Sequence, residues 1–304
     1  MKIIIVAPKS TSKGSPFRYD YAVWNFYLPL MSLGHQVVFF DSSKYGDKEL
    51  QFMISKEKPD LLFCIMTGDI NYCPKEPWDT IKSETIKGNI KTFNWFCDDS
   101  WRFENFSKHV CGFFHCASTP EIYGPELYKK NGYNNIIQAT WHANSELYSG
   151  LNITKKQQVA FVGAEHGERS IFLNLLRSSH IKVNKPNFAG FEDLIEAYSN
   201  SLIGINFSKN SVNQGTQMKA RPFEITACGS MLITEYTEGI EEFFKIDKEI
   251  ICFKTSSEML EKVKYLINKP SLAANIAKSG HNRFLKDHQS KIRLQKLIQE
   301  IKKI

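Results

Sequence analysis

The chain has 304 residues, 42% hydrophobic and 23% charged, a composition able to bury a core and a length that suits two domains of about 150 residues each. No run of about 18 apolar residues occurs, which excludes a bilayer-spanning helix. The net charge of +7 is compatible with an anionic ligand, but no basic run is interleaved with aromatics as in a nucleic-acid platform.

In chain order, Lys2–Pro8 reads as a first buried strand. Its apolar run, Ile3 to Ala7, falls short of the roughly 7 to 15 residues of a secretory leader. With seven scattered cysteines, an odd number, the expectation is a cytoplasmic chain with free thiols. The polar stretch Ser10 to Ser15 follows; Ser10, Lys13 and Gly14 are candidate substrate contacts there, and the Gly-Lys-Ser/Thr ending of a P-loop is absent. Further strands are predicted at Gln36–Asp41, Asp60–Met66, Lys91–Cys97, Gly112–Ala117 and Asn135–Ala139. Helices are predicted between them at Tyr19–Leu33, Asp47–Glu57, Trp78–Lys87 and Pro120–Asn131. The strands are near-continuous apolar runs, the pattern of a parallel sheet covered on both faces. Asp98 and Asp99 close the fourth strand; one is a candidate general base, and a helix N-cap is the competing reading. The run His109 to Cys116 holds four metal-ligand types but matches no common zinc spacing, so no metal site is expected.

Around 142–157 the pattern turns polar and reads as a linker, with His142 near a strand end. A second alternating series follows: strands at Gln158–Gly163, Ser201–Phe207, Ser230–Thr234 and Glu249–Phe253, with a weaker one near His180–Val183. Its helices are predicted at Glu168–Arg177, Glu192–Ser199, Pro222–Cys228, Ser257–Asn268 and Ser271–Asp287. The fold class is therefore α/β: two Rossmann-like, doubly wound domains, 1–141 and 158–288, facing across a cleft. A last amphipathic helix, Gln289–Ile304, carries Leu294, Leu297, Ile298 and Ile301 at helical spacing; it is expected to dock on the first domain, with weak attachment to anionic membrane as the alternative.

Two segments carry chemistry. In Met218 to Thr234, Pro222 suits a helix's first turn and Gly229 its end, which places Lys219 and Arg221 at a helix N-terminus suited to an anion, with Glu224 on the first turn. Solvated surface charges explain the same residues about equally well without further evidence. In Gln158 to Arg169, a strand, a turn with Gly163 and a helix bearing Arg169 suit a phosphate, although the three-glycine dinucleotide fingerprint is absent.

The order Val159 to Gly163, Gly167-Glu168-Arg169, Lys219-Ala220-Arg221-Pro222-Phe223-Glu224 through Gly229, and Leu232-Ile233-Thr234 resembles the CgeB-like, spore-maturation branch of the group-1 glycosyltransferases of GT-B class. The resemblance covers Trp141 to about Asp287, joined in the first half by Asn94 to Asp99. It implies glycosyl transfer from a nucleotide-diphosphate sugar to a carbohydrate or glycoconjugate hydroxyl, without a metal or other cofactor. Lys219 and Arg221 would neutralise the departing diphosphate, Glu224 would hold the donor ribose, and Gly163 and Arg169 would line the phosphate side. Ser10, Lys13, Gly14 and His142 then fall on the acceptor side, and Asp98 or Asp99 would activate the acceptor. Thr216 stands where many retaining relatives carry a first glutamate, so the stereochemical outcome stays open, and a non-catalytic binding protein or a nucleotide-sugar epimerase are the rival readings.

Overall fold

The computed structural model describes residues 1–10, 19–148, 154–165, 167–186, 190–210, 212 and 215–304, and the chain divides into two compact units. The first comprises Met1–Thr140 with Ser290–Ile304, the second Trp141–Gln289.

The first unit is built on strands β1 (Lys2–Ala7), β2 (Gln36–Asp41), β3 (Leu61–Cys64), β4 (Lys91–Trp95), β5 (Cys116–Thr119) and β6 (Ile136–Gln138). They pair in parallel in the order β2-β1-β3-β4-β5-β6. Successive side chains of a strand point to opposite faces, so Ile3, Ile5 and Ala7 enter one core and Ile4 and Val6 the other. The C-terminal helix Ser290–Lys303 completes the first of these cores with Leu294, Leu297, Ile298 and Ile301. Burial of such side chains contributes about 1.5–3 kcal/mol each as an upper estimate.

The second unit repeats the plan with β7 (Gln157–Ala160), β8 (Val183–Asn184), β9 (Ser201–Asn206), β10 (Met231–Glu235) and β11 (Ile251–Phe253). All pairs are again parallel, in the order β11-β10-β9-β7-β8. Both sheets therefore share one winding: the second strand lies outside the first, and the third on its other side. In such sheets the crevice where the winding reverses, at the carboxyl ends of the first and third strands, is the place for a ligand. Those ends are β1/β3 in one unit and β7/β9 in the other.

Several elements differ from expectation. Phe113 and Phe114 belong not to a strand but to a 3-10 turn, Cys111–Phe113, and the residue after it, with β5 starting at Cys116. A short apolar run does not distinguish a strand from a buried helix end. The helix expected over Tyr19–Leu33 begins with a π-helical turn, Val23–Tyr27, before the α-helix Leu28–Ser32. The helix Pro270–Arg283 packs close to Glu249 at Gly280, where a Cβ would lie 2.4 Å from the Glu249 carbonyl oxygen. Only glycine permits that approach. Among the described residues no helix is long and apolar enough to cross a membrane.

Candidate functional site

The β7/β9 crevice gathers most of the residues singled out in the second unit. After β9 the chain turns through Ser208 and Lys209, where Gln217 N–H donates to the Ser208 carbonyl at 2.9 Å and Lys209 bridges Thr216. It then enters the helix Arg221–Ala227, with Pro222 in the first turn and every residue from Pro222 to Ala227 buried. Glu224 is thereby carried inside, at 5% exposure.

A carboxylate placed there needs donors. Arg221 supplies one, its Nη1 at 2.7 Å from Oε2, and Tyr148 supplies another, its hydroxyl at 2.9 Å from Oε1. The Arg221 guanidinium also lies 5.9 Å from the Tyr198 ring centroid, within cation–π range. Burial works to lower the pKa of Arg221, but Glu224, with Tyr198 and Tyr148, carries it above the ordinary value. The Arg221 side chain remains 25% exposed, so this fixed cation still reaches solvent.

Glu235, buried at the end of β10, accepts the N–H groups of Ser208 and Lys209 at 2.8 and 2.9 Å. The Lys209 turn is fixed in this way, and its carbonyl receives the Lys219 ammonium. The Lys209 ammonium pairs with Glu168 at the start of the helix Glu168–Ser178. Arg169, the next residue, is pushed below its ordinary pKa first by burial and then by repulsion from Arg221, against the pull of Glu235. Arg169 thus lies within electrostatic reach of both Arg221 and Glu235. Four cations (Arg169, Lys209, Lys219, Arg221) accompany three carboxylates (Glu168, Glu224, Glu235), with Gly163 exposed at the end of the turn after β7. Such a grouping can receive an anion beside a carboxylate that still has lone pairs for hydroxyl donors.

The other candidates separate. Lys13 and Gly14 lie outside the described residues. Ser10 bridges Tyr19, and its carbonyl accepts the Tyr72 hydroxyl at 2.7 Å. His142 is fully buried, at 0% exposure, rather than presented at a strand end. Asp98 precedes the helix Asp99–Arg102, its carbonyl accepting N–H from Trp101 and Arg102, and it shares a small cavity with Thr67, Cys97 and Arg102. Asp99 is 3% exposed and receives the hydroxyls of Ser107 at 2.6 Å and Tyr128 at 2.9 Å. Burial nevertheless pushes its carboxyl up. Those bonds assign Asp99 to the internal framework of the unit, not to activation of a substrate. His115 takes the Thr92 N–H on Nδ1 at 3.0 Å, a structural role, and no group of three or more metal-ligand side chains occurs among the described residues.

Sequence reasoning missed Lys209, Glu235 and Tyr148. Lys209 lies in the turn just past β9 and Glu235 ends β10, so the rule of carboxyl ends was signal enough. Tyr148 lay in the segment read as a linker and carried none.

Two parallel-sheet Rossmann-like units of this kind define a protein of GT-B fold, a glycosyltransferase. The Glycosyl transferase-like family model matches residues 146–299, and the chain belongs to that family. No curated protein matches the chain in sequence. Among solved structures it is similar to a sucrose-phosphate synthase from Thermosynechococcus elongatus, with 11% identity, TM-score 0.66, 99% of this chain and 98% of that one covered. A glycosyltransferase from Rickettsia africae ESF-5 gives 13%, 0.64, 99% and 98%. Anabaena Alr3699/HepE, solved in complex with UDP-glucose, gives 11%, 0.64, 100% and 100%. At such identities these likenesses speak for the fold.

Proposed function

We propose that the chain moves a glycosyl group from a nucleoside-diphosphate sugar to an acceptor hydroxyl, using the β7/β9 crevice as its donor site. The observation that carries this reading is the buried Glu224 carboxylate held between Arg221 and Tyr148 beside further cations. Arg221, Lys219 and Arg169 take the diphosphate, and Glu224 takes the ribose hydroxyls. Solved complexes of HepE with UDP and with UDP-glucose make UDP the first nucleotide to try. The match of Val159 to Gly163 and Lys219 to Gly229 to the CgeB-like pattern supports placing the chain in that branch.

Glycosyl transfer passes through an oxocarbenium-like state while negative charge grows on the leaving phosphate. Preorganised cations aimed at that charge supply the main stabilisation, and removal of one such donor typically costs about 10²–10³ in rate. We assign this neutralisation to side-chain cations rather than to a metal, so turnover is expected to persist in EDTA. On the acceptor side Asp98 is the candidate base and Ser10, after β1, a candidate contact, while Asp99 serves the framework.

The test is a thermal-shift series with UDP, GDP, dTDP, CDP and ADP, with EDTA or a divalent ion. A ligand at 100 times its Kd stabilises the native state by about 2.7 kcal/mol, so one diphosphate is expected to raise the Tm by several degrees without metal. Absence of a shift with every nucleotide would overturn the donor site.

A further inference from the structure

Tyr148 holds a position that the reaction chemistry alone does not require. It closes a turn in which Leu147 and Tyr148 donate N–H to the Asn144 carbonyl at 2.9 and 3.0 Å and Glu146 N–H reaches Asn144 Oδ1 at 3.1 Å. The turn is anchored where Ala143 bridges Gln289 and the Ser145 hydroxyl donates to Gln289 Oε1 at 2.8 Å. The ring is 2% exposed and packs edge-on against Phe191 at 5.0 Å between centroids. Its hydroxyl is therefore a fixed donor aimed at Oε1 of Glu224.

A carboxylate offers about four lone-pair directions, two on each oxygen. Tyr148 occupies one on Oε1 and Arg221 one on Oε2. Each oxygen is left with one direction, and the pair suits two adjacent hydroxyl donors. Without the phenol, the carboxylate is free to rotate into a two-pronged pair with the Arg221 guanidinium, the geometry that fork favours. Neither oxygen would then stand in register with a vicinal diol.

We infer that Tyr148 is a positioning residue that fixes the rotation of the Glu224 carboxylate and so makes the donor site select nucleotides carrying both ribose hydroxyls. The inference rests on the donor-site reading above. Its consequence is selectivity, which a tyrosine of merely packing value would not confer.

The experiment compares wild type with Tyr148→Phe, which keeps the ring and removes the O–H. Binding of UDP, GDP, ADP and CDP and of their 2′-deoxy counterparts is measured by calorimetry, below the unfolding temperature of either protein. Wild type is expected to prefer one ribonucleotide over its deoxy form by about tenfold or more, the equivalent of one well-made hydrogen bond. The variant is expected to lose most of that preference through weaker ribonucleotide binding, with the deoxy form changed less than about twofold. An equal loss for both forms, or an unchanged preference, overturns the role of Tyr148 and leaves the donor site standing. A wild type that binds none of the four and no dTDP either overturns the donor site itself, and one that binds only dTDP or favours the deoxy form overturns the selectivity.

Discussion

The two units use one device in opposite settings. In each, a buried glutamate accepts two successive backbone N–H groups where the third strand leaves the sheet. Glu76 takes those of Thr67 and Gly68 after β3, at 2.8 and 2.7 Å, and Glu235 takes those of Ser208 and Lys209 after β9. Beside Glu235 stand Arg169 and the Lys209 turn that receives Lys219, with Arg221 within electrostatic reach of Arg169. Around Glu76 burial dominates. It raises the carboxyl from its ordinary 4.5 to about 7, against the two N–H bonds and Arg102 and with Asp69 adding repulsion. The same staple that shapes a cationic crevice in one unit is, in the other, a titratable group poised near neutrality. The two units thus share the strand order and the staple and differ in the charges around it.

The sharpest way to break this contrast is to remove the cations of the second unit. Arg221→Ala is expected to lower turnover by about 10²–10³-fold, measured as nucleotide release from the donor. Because Glu224 is left with one protein donor fewer, the same change is expected to cost about 1–3 kcal/mol in urea unfolding. Lys219→Ala, which removes an ammonium that donates to the Lys209 carbonyl, is expected to cost about tenfold or more in turnover. If both variants turn over normally, the crevice is not the leaving-group site, and the contrast between the units loses its meaning for function.

The first unit is tested by pH. A folded-state pKa above the unfolded value means that the native state binds the extra proton between the two. Stability contributed by Glu76 is therefore highest below about 4.5 and falls as pH rises to about 7. A shift of this size corresponds to a fall of roughly 2–3 kcal/mol across that window. Glu76→Gln removes the titration and should flatten the curve. Tryptophan fluorescence suits the measurement, since Trp24, Trp78, Trp95 and Trp101 lie in the first unit and only Trp141 in the second. An unchanged slope in Glu76→Gln would move the pH response to other groups.

Much of this was legible in the chain. Parallel sheets announce themselves through runs such as Ile3 to Ala7 and Met231 to Ile233, apolar on both faces. Lys219, Arg221 and Glu224 stood out because proline and glycine bracket their helix. What stayed hidden depends on contacts remote in sequence. Tyr148 meets Glu224 across 76 positions, and Glu235 meets Ser208 across 27. Asp98 and Asp99 show the limit most plainly, since adjacent acids of equal propensity are separated by burial alone, one half-exposed beside a cavity and the other enclosed by hydroxyls.

That enclosure gives the smallest effect. Tyr128→Phe removes the O–H that Asp99 Oδ2 accepts at 2.9 Å and leaves the ring stacked beside Phe96. A bond to a charged acceptor of this kind is worth about 1.5–3 kcal/mol, less whatever Ser107 and Thr119 recover. Burial already holds the folded pKa of Asp99 above its unfolded value, so stability falls as pH rises through that interval. Loss of a bond that favours the charged form raises the folded value further and widens the interval. The cost of Tyr128→Phe should therefore be least below about pH 4, where Asp99 is protonated in both states, and should grow as the pH rises through the folded value. Urea unfolding at the two extremes measures the difference. A cost independent of pH would mean that the hydroxyl serves packing instead of charge, and turnover should be untouched either way, since this carboxylate belongs to the framework.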